Sequence, residues 1–297
     1  MPNLPGDTVS RLRPPTNQMA FDGYRLSLLV WAAALLPVMA CSSGAREGIT
    51  VAGSTSVEPF AERLAELYMP KHPGAKISVQ GGGSSAGIKA VQSGICQIGM
   101  SSRELKPEEQ GLTVIIIAHD AIALIVNAGN PVRGVTLQQA RDIFSGRIRN
   151  WRQLGGPNKP ITVITREEGS GTRASFEEKV MVAGMAKDSA GKVEPATFAP
   201  DALVQDSNGA VREIVASDAA AIGYISFGLI DNRVHALALN GVQPDERTVK
   251  RGRYPVARNF LFLTRGEPDS TSAAFISYVL SPEGQQVLAD EGLIRVR

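Results

Sequence analysis

The stretch that decides the fold is Ile161-Thr-Val-Ile-Thr-Arg166-Glu-Glu-Gly-Ser170-Gly171-Thr172-Arg173-Ala-Ser-Phe176. Its β-branched first residues predict a short strand, and a helical pattern resumes after the glycines. A glycine-rich turn that leads into a helix leaves backbone N–H groups free at the positive end of the helix dipole. The hydroxyls of Ser170 and Thr172 add donors, and the guanidinium groups of Arg166 and Arg173 suit oxyanions. The stretch predicts an anion site, with a solvated turn before a capped helix as the alternative.

Three earlier segments repeat this order of strand, polar turn and helix start. The turns are Gly53-Ser54-Thr55-Ser56, residues 80–85 and Ser101-Ser102-Arg103. In an open parallel α/β sheet such turns gather at the carboxyl ends of the strands, where ligands bind. Four of them, with no acidic metal cluster among them, predict a dehydrated oxyanion held by many neutral donors.

Composition sets the class of the molecule. The chain has 297 residues, of which 43% are hydrophobic and 20% charged, so it is long enough for about two globular domains. Its formal net charge is only +2 and no run of Lys or Arg forms a basic stripe. We therefore expect no nucleic-acid partner, and an anion preference must come from a local site.

The N-terminal segment has the features of an export signal. The uncharged run from Leu26 to Ala40 fits a signal-peptide core and is short for a membrane span. Val38-Met-Ala-Cys41 resembles the lipobox of bacterial lipoproteins, which predicts a leader over residues 1–40, lipidation at Cys41 and a tether over residues 41–47. Met19 is the expected true start. Cys96 then remains as a buried free thiol, and we expect no disulfide.

Two apolar runs predict the crossings between two domains. Residues 114–127 are expected to form two buried strands joined at His119-Asp120, and residues 221–228 another buried strand. We interpret residues 122–127 as the outward crossing and the later strand as the return. The resulting lobes are residues 48–124 plus 225–297 and the inserted residues 125–224, with Trp151 as a packing anchor of the second.

The ordered set of motifs resembles the solute-binding proteins of bacterial ABC-type phosphate importers. The resemblance runs from about Ile49 to the C-terminus. Its pieces are Gly53-Ser-Thr-Ser, Gly83-Ser-Ser-Ala-Gly, Ile98-Gly-Met-Ser-Ser-Arg, Arg166-Glu-Glu-Gly-Ser-Gly-Thr-Arg, Leu137-Gln-Gln-Ala-Arg-Asp-Ile-Phe-Ser-Gly, Asn150-Trp151 and Ala221-Ile-Gly-Tyr-Ile-Ser. It implies an α/β, two-lobed periplasmic-binding-protein fold of type II, in which each lobe is a mostly parallel sheet flanked by helices and two segments cross between the lobes.

The resemblance also implies a function. The lobes would close on one inorganic phosphate outside the cytoplasm and hand it to a membrane permease, without a cofactor or a chemical step, as a lipid-anchored monomer. Carried over residue by residue, the phosphate ligands would be Thr55, Ser56, Ser85, Arg166, Ser170, Gly171 and Thr172. Receptors for sulfate, molybdate or tungstate, or a phosphate sensor, are the alternatives on the same fold.

Ser102 is also expected to bind the phosphate, but it departs from the better-known branch of that family, which has an aspartate at this position. That carboxylate accepts the proton of bound phosphate and excludes sulfate. We hypothesise that Asp120 takes over this role, with local pairing of Asp120 as the alternative. Glu168 is a third option, although the family's acidic residue there holds Arg166 by an ion pair. Arg103 is expected either to reach the anion or to form a salt bridge between the lobes.

Other chemistries fit the sequence poorly. A serine hydrolase needs a base, and His119 is the only candidate near the expected site because His72 and His235 lie outside its loops. Adjacent residues on a strand point to opposite faces, which separates His119 from Asp120. The Gly169-Ser-Gly-Thr-Arg segment lacks P-loop spacing, and no His, Cys or Asp cluster has the spacing of a metal site.

Overall fold

A computed structural model describes residues 48–296 as a mixed α/β structure. The expected leader, the start at Met19, Cys41 and the whole tether lie outside the described residues. No helix among the described residues is long and apolar enough to cross a membrane.

Eleven strands and eight α-helices are present in this part of the chain. The strands are β1 (Ile49–Gly53), β2 (Ile77–Gly81), β3 (Ile98–Ser101), β4 (Thr113–Asn127), β5 (Gly134–Val135), β6 (Thr162–Arg166), β7 (Leu203–Gln205), β8 (Ala221–Ser226), β9 (Val234–Ala236), β10 (Ala238–Leu239) and β11 (Ala257–Thr264). The helices are α1 (Glu58–Tyr68), α2 (Ser84–Gln92), α3 (Leu137–Phe144), α4 (Gly171–Phe176), α5 (Asn208–Ser217), α6 (Glu246–Lys250), α7 (Ser270–Leu280) and α8 (Pro282–Asp290).

Nine of the strands form one sheet in the order β2-β1-β3-β11-β4-β8-β6-β7, with β9 paired to β4. The pairs among β1, β2 and β3 are parallel, as are those among β6, β7 and β8. The central pairs, which involve β4 and β11, are antiparallel. The parallel groups bring the strand–turn–helix units of each half to one edge, as the sequence predicted.

Strand β4 is a single strand of 15 residues, not two strands joined at His119-Asp120. Its first part pairs with β11 as far as Ala121, and its second part pairs with β8 from Ile122 onward. The expected break is absent because the backbone keeps an extended conformation while its partner strand changes. The crossing expected at residues 122–127 is thus the second half of a longer strand.

Each half of the sheet has its own hydrophobic core. One core contains Trp151, Phe144 and Phe176, and the other contains Phe60 and Phe275. Trp151 is fully buried and its indole N–H donates to the Ala220 carbonyl oxygen at 2.8 Å, which confirms it as a packing anchor. Burying such aromatic side chains stabilises each half by about 2 kcal/mol per residue.

Two further expectations on local structure have clear outcomes. Cys96 is a free, buried thiol, as predicted. The helix predicted after the glycines has only six residues of α-helix, Gly171–Phe176, followed by a π-helical turn over Glu177–Met181. Because α4 is so short, the anion site must depend on side chains and loop geometry more than on a helix dipole.

Candidate anion-binding site

The loops after β1, β2 and β3 bring three serine hydroxyls together. Ser54 Oγ donates to Ser102 Oγ at 2.9 Å, and the backbone N–H of Ser102 donates to Ser84 Oγ at 3.1 Å. All three side chains are buried. The convergence predicted for these turns is therefore present, and Ser54 and Ser84 join it without having been singled out as ligands.

A second group of polar side chains joins the first half of the sheet to the loop after β6. Ser56 Oγ and Thr172 Oγ1 lie 2.7 Å apart, and Asn208 Nδ2 donates to Ser56 Oγ at 2.9 Å. Asn208 begins α5 behind the N-cap Ser207. The helix start at Ser207 can be predicted from the sequence, whereas the role of Asn208 in the site was not predicted, although β7 and α5 form a fifth strand–turn–helix unit.

At Gly171 the two halves approach each other closely. A Cβ built on it would lie 2.6 Å from Ser102 Oγ and closer still to Ser84 Oγ. Only glycine fits this contact, because neither hydroxyl is the end of a long flexible chain. Next to it, Ser170 Oγ accepts from the backbone N–H of Arg173 at 3.2 Å, so this hydroxyl acts as a helix cap.

Arg166 is the charged centre of the loop after β6, and its side chain is 1% exposed. Nε and Nη2 each donate at 3.0 Å to a different carboxylate oxygen of Glu167. Nη2 also donates to Thr55 Oγ1 at 3.1 Å, across the cleft. Nη1 is buried and has no hydrogen-bond partner. A buried guanidinium nitrogen without an acceptor is costly in a protein interior, so this arrangement favours an anion at Nη1.

The ion-pair partner of Arg166 is Glu167, and the expectation that Glu168 holds it is wrong. Both Glu167 oxygens face the guanidinium group, whereas Glu168 is exposed. Glu167 directly follows the last residue of β6, and Glu168 is one residue further into the turn. Sequence position alone did not distinguish the two neighbouring glutamates.

A second buried arginine, Arg258 on β11, was missed by the sequence analysis. Its Nε donates to Asp120 Oδ2 at 2.8 Å, and its Nη1 donates to Thr172 Oγ1 at 2.8 Å. Nη2 lies 2.8 Å from the same Asp120 oxygen but has no aligned hydrogen bond. The signal for it was weak, because a single arginine at the start of an apolar strand resembles a surface residue.

Asp120 therefore pairs with neighbouring side chains, which was the alternative to a role as proton acceptor for the bound phosphate. Its Oδ2 accepts from Arg258 and its Oδ1 accepts from Ser226 Oγ at 2.9 Å, so both carboxylate oxygens already have donors. Burial raises the pKa of the Asp120 carboxyl, and Arg258 opposes that shift. The structure thus contradicts the hypothesis that Asp120 substitutes for the aspartate missing at Ser102.

Ser85 and Arg103 also differ from expectation. Ser85 Oγ accepts from Arg103 Nη2 at 3.1 Å, and the neighbouring Ser84 takes the place expected for Ser85 in the hydroxyl cluster. Arg103 forms a two-pronged ion pair with Glu109 at 2.6 and 2.7 Å. Glu109 follows it by six residues in the same half of the sheet, so the predicted salt bridge between lobes is wrong.

A cavity of about 470 Å³ lies on the outer side of Arg258. It is lined from both halves of the molecule and carries five cations against two glutamates. These charged residues are Arg103, Lys179, Lys250, Arg258, Arg295, Glu104 and Glu178. The cavity borders the site through Ser175, which lines it and donates to the Ser102 carbonyl oxygen at 3.3 Å. No metal-binding group of His, Cys, Asp and Glu occurs within residues 48–296.

Comparison with known proteins gives a consistent result. Residues 40–283 match the PBP superfamily domain. The phosphate-binding protein PstS of Bacillus subtilis is 33% identical over 84% of this chain and 80% of its own length. PstS of Borreliella burgdorferi is 28% identical over 84% of this chain and 90% of its own length.

Solved structures agree with the curated relatives. A protein from Clostridium perfringens, assigned as a phosphate ABC transporter substrate-binding protein and crystallised with phosphate, is 40% identical. It superposes with a TM-score of 0.78 over 84% of this chain and 100% of its own. An ABC-type phosphate transport receptor from Vibrio cholerae is 35% identical, with a TM-score of 0.67 over 83% and 99% of the two chains. The chain belongs to the PstS family of phosphate-binding proteins, within the PBP superfamily.

Proposed function

We propose that this protein is an extracytoplasmic receptor that binds inorganic phosphate and delivers it to an ABC-type permease for uptake. The observation that carries the proposal is the unpartnered Nη1 of Arg166, buried where hydroxyls from both halves of the sheet meet. A tetrahedral oxyanion fits such a site because it offers several acceptors in different directions. The names of the PstS relatives and of the phosphate-bound neighbour support phosphate as that anion.

Binding is coupled to closure of two lobes in this proposal. Residues 48–124 and 225–297 form one lobe, and residues 125–224 form the other. Several hydrogen bonds join them in the described conformation. They include those of Arg166 to Thr55, of Thr172 to Ser56 and of Ser175 to the Ser102 carbonyl, as well as the bonds from Asn208 to Ser56 and from Arg258 to Thr172 described above. Contacts that exist only in the closed form stabilise it when the anion neutralises Arg166, and opening releases the anion.

The direct ligands follow from this arrangement. Arg166 supplies charge, Thr172 and Ser56 supply hydroxyls, and Gly171 and Ser102 line the contact between lobes. Ser170 contributes through its backbone, because its hydroxyl caps α4. In this proposal no residue within the described range 48–296 acts as a nucleophile or a general base, and the protein acts by binding.

The attachment to a membrane is a further part of the proposal. Cleavage before Cys41 and lipidation of its thiol would hold a monomeric receptor at the membrane surface in the periplasm or on the cell surface. Replacement of Cys41 by Ala should move the protein from the membrane fraction to the soluble fraction of fractionated cells. Retention of the Cys41→Ala protein in the membrane fraction would contradict the anchor.

Calorimetric titration of the full chain in detergent, after exhaustive dialysis to remove bound anion, tests phosphate binding. We expect one-to-one binding of phosphate by the wild type and a loss of at least about a hundredfold in Arg166→Ala, because a buried charged partner is removed. Arg152→Ala is the matched control, since Arg152 is exposed and distant from the site. Absence of phosphate binding by the wild type would overturn the proposal.

Uptake separates a transport receptor from a sensor on the same fold. Cells that lack this protein should take up labelled phosphate more slowly, and the wild-type gene but not Arg166→Ala should restore the rate. Normal uptake in the deleted cells, with phosphate binding intact in the purified protein, would favour the sensor.

A further inference from the structure

Two buried guanidinium groups, not one, approach the same cluster of hydroxyls. Arg166 Nη2 donates to Thr55 Oγ1 at 3.1 Å, and Arg258 Nη1 donates to Thr172 Oγ1 at 2.8 Å. Thr172 is in turn bonded to Ser56, the residue next to Thr55. The two arginines therefore stand on either side of a short chain of hydroxyls that crosses between the lobes.

Arg166 keeps one buried nitrogen, Nη1, without a partner, whereas Nη2 of Arg258 has no aligned hydrogen bond but lies 2.8 Å from Asp120 Oδ2. Their charges also interact. Burial lowers the pKa of Arg258 most, the charge of Arg166 lowers it further, and the ion pair with Asp120 opposes both. Each charge has a carboxylate partner, Glu167 for Arg166 and Asp120 for Arg258, and the buried donor left open to a ligand is Arg166 Nη1. An anion at that nitrogen and at the Thr172 hydroxyl would lie next to Arg258, which donates to the same hydroxyl.

We infer that Arg258 is a second charged ligand of the bound anion, and that this receptor selects its ligand by charge and shape without a proton-accepting carboxylate. The inference rests on the proposed function, because it assigns a further residue and a selection rule to the same site. Asp120 is the positioning residue for Arg258, as Glu167 is for Arg166.

The selection rule follows from what the carboxylates already do. The two oxygens of Asp120 accept from Ser226 and Arg258, and the two oxygens of Glu167 accept from Arg166. A carboxylate turned toward the ligand would repel an oxyanion that has no proton to donate. At this site the position of such a carboxylate is occupied by Ser102, whose hydroxyl can donate as well as accept.

Sulfate is the informative probe, because it has the tetrahedral shape and double charge of phosphate but carries no proton at neutral pH. The full chain is titrated calorimetrically with phosphate and then with sulfate at the same neutral pH and ionic strength. We expect a sulfate dissociation constant within about a hundredfold of that for phosphate, a gap of about 2.7 kcal/mol or less. Sulfate binding weaker than this, with phosphate binding intact, would overturn the selection rule and leave the proposed function standing.

The paired variant Arg258→Gln with Asp120→Asn tests the second ligand. It removes both charges of the pair together, so no unpaired charge is left buried. We expect the affinities for phosphate and sulfate to fall by about tenfold or more and to fall together. Wild-type affinity in this variant would overturn the role of Arg258.

A matched control exists in the second lobe. Arg141 is also a buried arginine, paired with Asp142 at 2.7 Å away from the hydroxyl cluster, and Arg141→Gln with Asp142→Asn should leave both affinities unchanged. If the Arg258 and Asp120 variant fails to fold, as judged by circular dichroism, Arg258→Lys keeps the charge and loses the second nitrogen. The Arg258→Lys variant should bind both phosphate and sulfate more weakly. Unchanged binding by this variant would also overturn the role of Arg258 as a ligand.

Discussion

Gly171 lies so close to Ser84 that no side chain can be added at this glycine without overlap. The backbone of Gly171 does not have a positive φ, so the restriction comes from the neighbouring loop and not from the conformation of the glycine itself. The contact joins the loop after β6 to the start of α2. Closure of the proposed lobes therefore depends on the absence of one methyl group.

Gly171→Ala is expected to weaken phosphate binding by at least about tenfold, because the methyl group would hold the lobes apart. The thermal unfolding temperature should stay close to that of the wild type. Gly169→Ala is the control, since a Cβ there meets no atom within 4 Å. Calorimetric titration of both variants tests the prediction, and equal affinities would contradict it.

Glu167→Gln should lower phosphate affinity by about tenfold, because the neutral amide no longer holds both Nε and Nη2 of Arg166 as a charged acceptor. Glu168→Gln changes the same charge one residue away and should have no effect, since Glu168 is exposed. The two titrations together decide which glutamate positions the arginine. A larger effect from Glu168→Gln would reverse the assignment.

Glu109→Gln should lower the free energy of unfolding at neutral pH by about 2 kcal/mol, because the variant loses charged hydrogen bonds to Arg103. Those bonds hold the pKa of Glu109 below its usual value, against the raising effect of partial burial. A carboxyl with a lowered pKa in the folded state stabilises the protein above its unfolded pKa and loses this effect as the pH falls through the folded pKa. Urea unfolding at neutral pH and at about pH 3 should therefore show a difference that shrinks with acid.

The control for this prediction is Glu108→Gln, which changes an exposed neighbour and should cost no stability at either pH. A difference between wild type and Glu109→Gln that stayed constant from neutral to acid pH would show that the ion pair is not its cause.

Lys179→Gln should slow phosphate association about twofold to threefold at low salt, because it removes one cation from the cavity beside Arg258. The dissociation rate should not change, and the difference should disappear as potassium chloride is added. Stopped-flow measurement of association tests this. Lys159→Gln removes an exposed lysine that does not line the cavity and serves as the control.

Much of the site could be predicted from sequence, since glycine and hydroxyl residues after buried strands carry a local signal. The loops of Ser56, Thr172 and Arg166 are close together as expected. The reason differs from the expected one, because β1 and β6 run in opposite directions and the carboxyl ends of the two parallel groups face each other. The break expected at His119-Asp120 was wrong, because a strand can change its partner without leaving the extended conformation.

The residues that sequence missed or misplaced are those whose roles depend on tertiary contacts. Arg258 lies 138 positions from its partner Asp120, and no local pattern connects the two. Choosing between Ser84 and Ser85, or between Glu167 and Glu168, needs the direction of a side chain at the end of a strand. Composition and hydrophobic periodicity carry no information about the direction of these side chains.

Strand β4 has a mechanical consequence. It changes partners between Ala121 and Ile122, so a bend at that point moves the adjacent residue, Asp120, with it. Asp120 holds Arg258, and Arg258 reaches Thr172 in the other proposed lobe. In the proposed opening of the lobes, a force that separates them would act on this ion pair and on the change of partner strand together. The same movement would then draw the positive charge of Arg258 away from the bound anion.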